Sequence, residues 1–150
     1  MKKRLKQRLQ NEKGLTLVEL LAVIVILGII AAIAIPAIGN IITNSKVNAL
    51  KADGQNVLAA GNLYFVENNK KATVSMAELT ADGFLEDAGG FAATTGAVAA
   101  TITKGAAGKG NTISGTAANG TVTVAFTTAT NADITAADVK ASTGKVIVTR

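Results

Sequence analysis

Leu20-Leu21-Ala22-Val23-Ile24-Val25-Ile26-Leu27-Gly28-Ile29-Ile30-Ala31-Ala32-Ile33-Ala34-Ile35 is a run of sixteen residues without a polar side chain. A single carboxylate, Glu19, stands at its front edge, and Lys13-Gly14 lies just upstream. The apolar stretch reaches from Leu15 to Ile38. At roughly 1.5 Å per helical residue it is long enough to cross a bilayer core of about 30 Å. A carboxylate beside a membrane is costly without a partner, so Glu19 reads as a functional residue.

Outward from this run, the charge is lopsided. Lys2, Lys3, Arg4, Lys6, Arg8 and Lys13 against Glu12 give the first fourteen residues the whole net charge of +5. The rest of the chain holds nine basic and nine acidic residues. A basic segment ahead of an apolar run keeps the N-terminus cytoplasmic and sends the C-terminal part across. A DNA-gripping basic arm is the competing reading. Against it, the remainder is neutral with one Tyr, so neither an electrostatic footprint nor a stacking platform is visible. Only Lys70, Lys71, Lys104 and Lys109 offer a local patch.

Three readings of the run stand side by side. A secretory signal peptide has a shorter apolar region and a small-x-small cleavage site, which Ala31, Ala32 and Ala34 supply. A plain single-pass anchor explains the hydrophobicity but neither Glu19 nor the isolated Gly14. A cut at Gly14-Leu15 would instead keep the hydrophobic helix in the mature protein.

Lys13-Gly14-Leu15-Thr16-Leu17-Val18-Glu19-Leu20-Leu21, followed by Gly28 and Pro36, resembles the N-terminus of type IV pilins and pseudopilins. The match covers residues 13–36 at motif level, and the long-helix layout extends it to about residue 66. Leu15 departs from the family, which most often has Phe there, and the C-terminal Cys pair of many Gram-negative members is missing. The resemblance implies a leader peptide over 1–14, a filament-core or transmembrane helix over 15–38 and a globular domain over 39–150. It implies that a membrane prepilin peptidase cuts after Gly14 and methylates the new amine of Leu15. Glycine suits such a site, because without a side chain its extended backbone approaches a protease closely. It further implies that Glu19, with Thr16 beside it, serves assembly, Glu19 pairing with the terminal ammonium of a neighbouring subunit. The implied partners are copies of this or a related chain, the peptidase, the membrane, and an inner-membrane assembly platform with its ATPase. The implied location is the cytoplasmic membrane as precursor and a cell-surface filament afterwards.

Gly28 and Pro36 interrupt an otherwise strong helix pattern. Pro36 lacks an amide hydrogen and clashes with the preceding turn, which predicts a kink or opening around residues 32–35. Gly28 weakens a helix by roughly 1 kcal/mol relative to Ala. In related filaments the stretch between such a Gly and Pro loses helical structure on packing, and the resemblance implies the same here.

After Pro36 the pattern turns amphipathic. Ile38, Ile41, Ile42, Val47, Leu50, Val57, Leu58 and Tyr64 fall at helical spacing between polar residues. The expectation is one long helix to about Val66 whose apolar stripe faces a small sheet. Ser75-Met76-Ala77-Glu78 has capping-box spacing and predicts a short helix from Met76 to about Ala81, stopped by Gly83. Phe84 and Leu85 read as core. The stretch 91–149 is low in charge and rich in Thr, Ala and Gly, with candidate strands at 97–103, 111–116, 121–127 and 145–149. Asn119-Gly120 is a two-residue hairpin signal, which also accounts for the formal glycosylation sequon Asn119-Gly120-Thr121. Val122, Val124 and Phe126 alternate onto one sheet face. The overall expectation is an α+β fold: a long N-terminal helix, half membrane-spanning and half amphipathic, packed on a small antiparallel sheet in the type IV pilin manner.

With no His and no Cys, the chain offers no imidazole base, thiolate nucleophile or His/Cys metal site. Ser45, Ser75, Ser114 and Ser142 have nothing to activate them, and the acids form no obvious pair. Lys104-Gly105-Ala106-Ala107-Gly108-Lys109-Gly110 lacks the spacing of a phosphate loop and reads as a flexible turn. The expectation is a non-enzyme without cofactor or metal. Two classes remain: a filament subunit (pilin, or a pseudopilin serving DNA uptake or secretion), and a monomeric membrane-tethered binding module.

Overall fold

The computed structural model describes residues 2–92, 96–137 and 145–149. It divides into two compact units, Met1–Gly39 and Asn40–Arg150. The first unit is helix alone; helix α1 runs Lys2–Glu67, with Pro36 inside it, and continues unbroken through residues 32–36.

The second unit packs the last third of α1 on a sheet. The sheet has five strands in chain order: β1 (Thr73–Ser75), β2 (Val98–Thr103), β3 (Thr112–Asn119), β4 (Val122–Ala129) and β5 (Lys145–Thr149). Neighbours among the first four pair antiparallel, whereas β5 runs parallel to β4, with Val124 opposite Val146 and Phe126 opposite Val148. The sheet is therefore the small, mostly antiparallel one expected, with β5 as a parallel addition at its edge. The reason lies in the connection: residues 130–144 separate β4 from β5 and include helix α3 (Asn131–Ala136). That is long enough for the crossover a parallel pair requires.

Helix α1 meets the sheet along Val47, Leu50, Val57, Leu58, Tyr64 and Phe65, all buried. Ile38, Ile41 and Ile42 do not join them, being 54%, 63% and 51% exposed. The expected stripe therefore starts at Val47, and the three isoleucines continue the bare apolar surface upstream. Gly54 and Gly61 fall on the same helical face as the buried residues. A Cβ on Gly54 would lie 2.6 Å from the Phe126 ring, and one on Gly61 would lie 2.9 Å from Ile102. Glycine at these two places lets the helix backbone settle against the strands.

Local chemistry explains the smaller elements. Helix α2 (Met76–Ala81) has the predicted capping box: Ser75 Oγ accepts the Glu78 N–H at 3.3 Å, and Glu78 Oε2 accepts the Ser75 N–H at 2.8 Å. Gly83, at φ +78°, follows it, and Leu79 is fully buried. Leu85 is buried and Phe84 is half-buried edge-on to Tyr64, with centroids 5.4 Å apart, so both belong to the core as expected. Helix α3 repeats the device with Thr130 and Asp133, and Lys51 Nζ donates to the Ala137 carbonyl at 2.8 Å just past its end. A 3-10 turn at Gly89–Phe91 docks by the Gly90 N–H donating to Asp53 Oδ2 at 2.8 Å, which seats Phe91 against Phe126.

The β3–β4 hairpin forms with a one-residue shift. Asn119 pairs with Val122, so the loop is Gly120-Thr121 rather than Asn119-Gly120. Gly120 has φ +66° while Thr121 does not enter the positive-φ region, the pattern of a type II′ turn with Gly leading. Val122, Val124 and Phe126 share the buried face as predicted. At Thr128, φ +49°, a bulge shifts the register so that Ala129 also points inward.

Candidate functional site

The candidate site is the N-terminal segment of α1. Residues 16–30 are exposed throughout, and within 16–42 only Ala31 and Ala34 are half-buried. Leu17 is 67% exposed and Ile33 72%. The window of highest hydropathy in this helix averages 3.0, with none of it buried. A surface of this size and purity is incompatible with water as its only neighbour. By length and composition the helix is able to cross a membrane.

Glu19 lies one turn after Thr16 on the same side of the helix, exposed, and makes no ion pair among the described residues. The chemistry of such a carboxylate is simple. Moved into hydrocarbon, it requires a cation or a proton. The peptide bond between Gly14 and Leu15 sits in helical backbone, and the Leu15 side chain lies outside the described residues. Proteolysis at this bond therefore requires local unwinding, which Gly14 makes cheap.

Gly28 has nothing within 4 Å of the position a Cβ would take. Pro36 removes the donor that would bond the Ala32 carbonyl, so one rung of the ladder is missing in the middle of the helix. The structure thus brings Thr16 and Glu19 together at one end and leaves Gly28 and Pro36 as the two weak points further along.

Two of the four lysines weighed as a nucleic-acid patch, Lys71 and Lys104, have other engagements. Lys71 Nζ pairs with Glu78 Oε1 at 2.9 Å, and Lys104 Nζ donates to the Asn69 carbonyl at 2.6 Å and lies 5.9 Å above the Phe65 ring. The hydrogen bond and charge of Glu78 raise the Lys71 ammonium above its ordinary range. The Ser75 N–H, then Lys71 and the Ser75 hydroxyl, hold Glu78 down at about 2. These contacts tie the loop after α1 to α2. Residues 104–110 form the expected turn, closed by the Gly105 N–H donating to Asn111 Oδ1 at 2.8 Å. Among the described residues no group of three carboxylates or other ligands is placed to hold a metal. Ser142 lies outside them.

What sequence reading missed is structural support: Gly54 and Gly61, the Asp53–Gly90 clasp, β1 and α3. Their signals were present, in the seven-residue spacing of the two glycines and in Thr130-x-x-Asp133, a second capping pair.

An exposed apolar helix able to enter a membrane, joined in sequence to a small α+β head, is consistent with a pilin-like fold. Comparison with known proteins narrows it. Residues 9–35 match the family described as the prokaryotic N-terminal methylation motif. The chain is 39% identical over 59 residues to the type II secretion system core protein G of Pseudomonas aeruginosa, covering 39% of this chain and 42% of that one. It therefore aligns with less than half the length of that curated relative. No solved structure matches. The chain carries the prokaryotic N-terminal methylation motif, and that motif together with the apolar helix points to a membrane-anchored precursor.

Proposed function

We propose that this chain is a structural subunit of a type IV pilus-like filament, a pilin or pseudopilin. In this reading 1–14 is a leader removed at Gly14-Leu15 by a prepilin peptidase, which then methylates Leu15. The helix 15–38 is the membrane and filament-core element, and 39–150 is the head. The carrying observation is the bare apolar surface of α1 from Leu17 to Ile42 with one carboxylate at its edge. Removing the leader strips the chain of its excess positive charge and creates the ammonium that Glu19 needs. A neighbouring copy supplies that ammonium as it joins the filament base, with Thr16 beside the pair. The segment between Gly28 and Pro36 opens as the helices pack together. The assembly platform and its ATPase drive this extraction from the membrane, and the product is a cell-surface or periplasm-spanning fibre with no enzymatic role.

The similarity to a type II secretion core protein favours one refinement, a pseudopilin that works in protein export. Surface pili and DNA-uptake pseudopili are the other uses of the same subunit design. Glu19→Ala tests the common core: the variant inserts into the membrane at the normal level and yields no sheared fibres. Fibres at normal yield from Glu19→Ala would leave the membrane-tethered binding module as the better account. Export halted by deletion of this chain, without loss of surface fibres, would select the secretion reading.

A further inference from the structure

The tip of the β3–β4 hairpin combines three features that the filament reading does not use. Asn119 is exposed at the last rung of the ladder, and its carboxamide makes no hydrogen bond among the described residues. Gly120 follows it at φ +66°, in the loop, with its N–H unpaired among the described residues. Lys46 Nζ, from α1, lies 3.8 Å from where a Cβ on Gly120 would sit, and it has no ion-pair partner among the described residues. Asn119-Gly120 is also the one place in the chain where glycine follows asparagine.

We propose that Asn119-Gly120 is a self-modification site, converting in the folded protein to an aspartate whose carboxylate pairs with Lys46. The step needs only water and base. The Gly120 nitrogen gives its proton to solvent base and bonds to Asn119 Cγ. The Cγ–NH2 bond breaks, and the departing nitrogen takes a proton and leaves as ammonia. Water then opens the five-membered imide. Attack at Cγ yields aspartate, and attack at the main-chain carbonyl yields isoaspartate. Glycine permits the ring closure because no side chain hinders the approach of its nitrogen. The terminal rung opens at low cost, so the folded hairpin gives the nitrogen access to Cγ.

The fold then selects between the two products. Isoaspartate adds a methylene to the main chain at a residue paired with Val122, whose neighbours Val124 and Phe126 are buried in the core. Aspartate leaves that register intact and puts its new charge one residue before Gly120, next to which Lys46 Nζ lies. An isoaspartate re-closes to the imide and is opened again, so the form that fits the ladder accumulates. On a filament that is not turned over, which rests on the function proposed above, the result is an age mark of one negative charge per subunit.

The test uses the full-length purified chain held folded in mildly alkaline buffer, followed by tryptic mapping of the fragment Gly110–Lys140. The expected result is an NH2-to-OH mass gain at Asn119, several-fold faster than at any other asparagine, with aspartate exceeding isoaspartate. The same chain held unfolded in urea should give mainly isoaspartate. N119Q, which keeps the carboxamide and cannot close the five-membered ring, should stay unmodified at that position. K46M should still convert but with a larger isoaspartate share. Asn119 unchanged in the folded chain while the urea sample converts, a glycan mass on Asn119, or the same product ratio in K46M and the parent would each overturn the proposal.

Discussion

Gly28 and Gly54 sit on the same helix in surroundings as different as a protein offers. Around Gly28 a Cβ would meet nothing; at Gly54 it would strike the ring of Phe126 at 2.6 Å. The first belongs to a stretch of exposed apolar side chains, the second to a stretch whose partners are its own strands. A glycine that costs helix stability and touches nothing calls for a cause outside the molecule. A glycine that costs helix stability and admits a phenylalanine ring is explained within it. The same division separates Ile41, exposed, from Leu50, buried, although both are large apolar residues on the same helix.

That contrast is open to mutation. The largest expected effect is at the packed end. Gly54→Val drives a branched side chain into the Phe126 ring and should cost the head about 1–3 kcal/mol by overpacking, read as a lower unfolding midpoint. Gly28→Ala should do the reverse to the isolated subunit: it gains about 1 kcal/mol of helix propensity, seen as higher helicity in detergent, with no change in head unfolding. If Gly28 is where the filament helix opens, the same variant lowers fibre yield while the subunit remains folded. Equal loss of head stability in both variants would erase the distinction between the two halves.

A smaller effect concerns acid. Glu78 titrates at about 2 in the folded state against an ordinary 4.5. The unfolded chain therefore binds the proton first, so the contribution of Glu78 is complete above about pH 4.5 and is lost as pH falls towards 2. Glu78→Gln should flatten the stability profile in that window and leave neutral-pH membrane insertion alone. Because Glu78 and Lys71 are both well exposed, the change is modest and shrinks with added salt.

Much of this was legible in the chain itself. Long runs with one period speak clearly: the apolar helix, its continuation to residue 67, the Ser75 capping box and the alternation through Val122, Val124 and Phe126 all follow from spacing. The misreadings occur where spacing is silent. Ile38, Ile41 and Ile42 keep helical phase with Val47, and periodicity alone does not say where the sheet stops covering the helix. The Asn119-Gly120 signal locates a hairpin, but the inward demand of Val122 sets the rung at Asn119 and moves the turn to Gly120-Thr121. Strand β1 is three residues long, too short to show a period, and is held by pairing with β2. The parallel placement of β5 depends on a crossover through α3, a short helix whose only announcement is its Thr130–Asp133 cap. In the candidate site, Gly14, Thr16, Glu19, Gly28 and Pro36 were readable as a motif, whereas the bareness of the surface they punctuate is a property only the folded chain displays.

The account stands on the apolar helix remaining part of the mature protein, and the mass of the mature N-terminus tests this most directly. The expected species begins at Leu15 and carries a methyl group on its amine. A chain beginning just after Ala34, with the apolar helix gone, would contradict it.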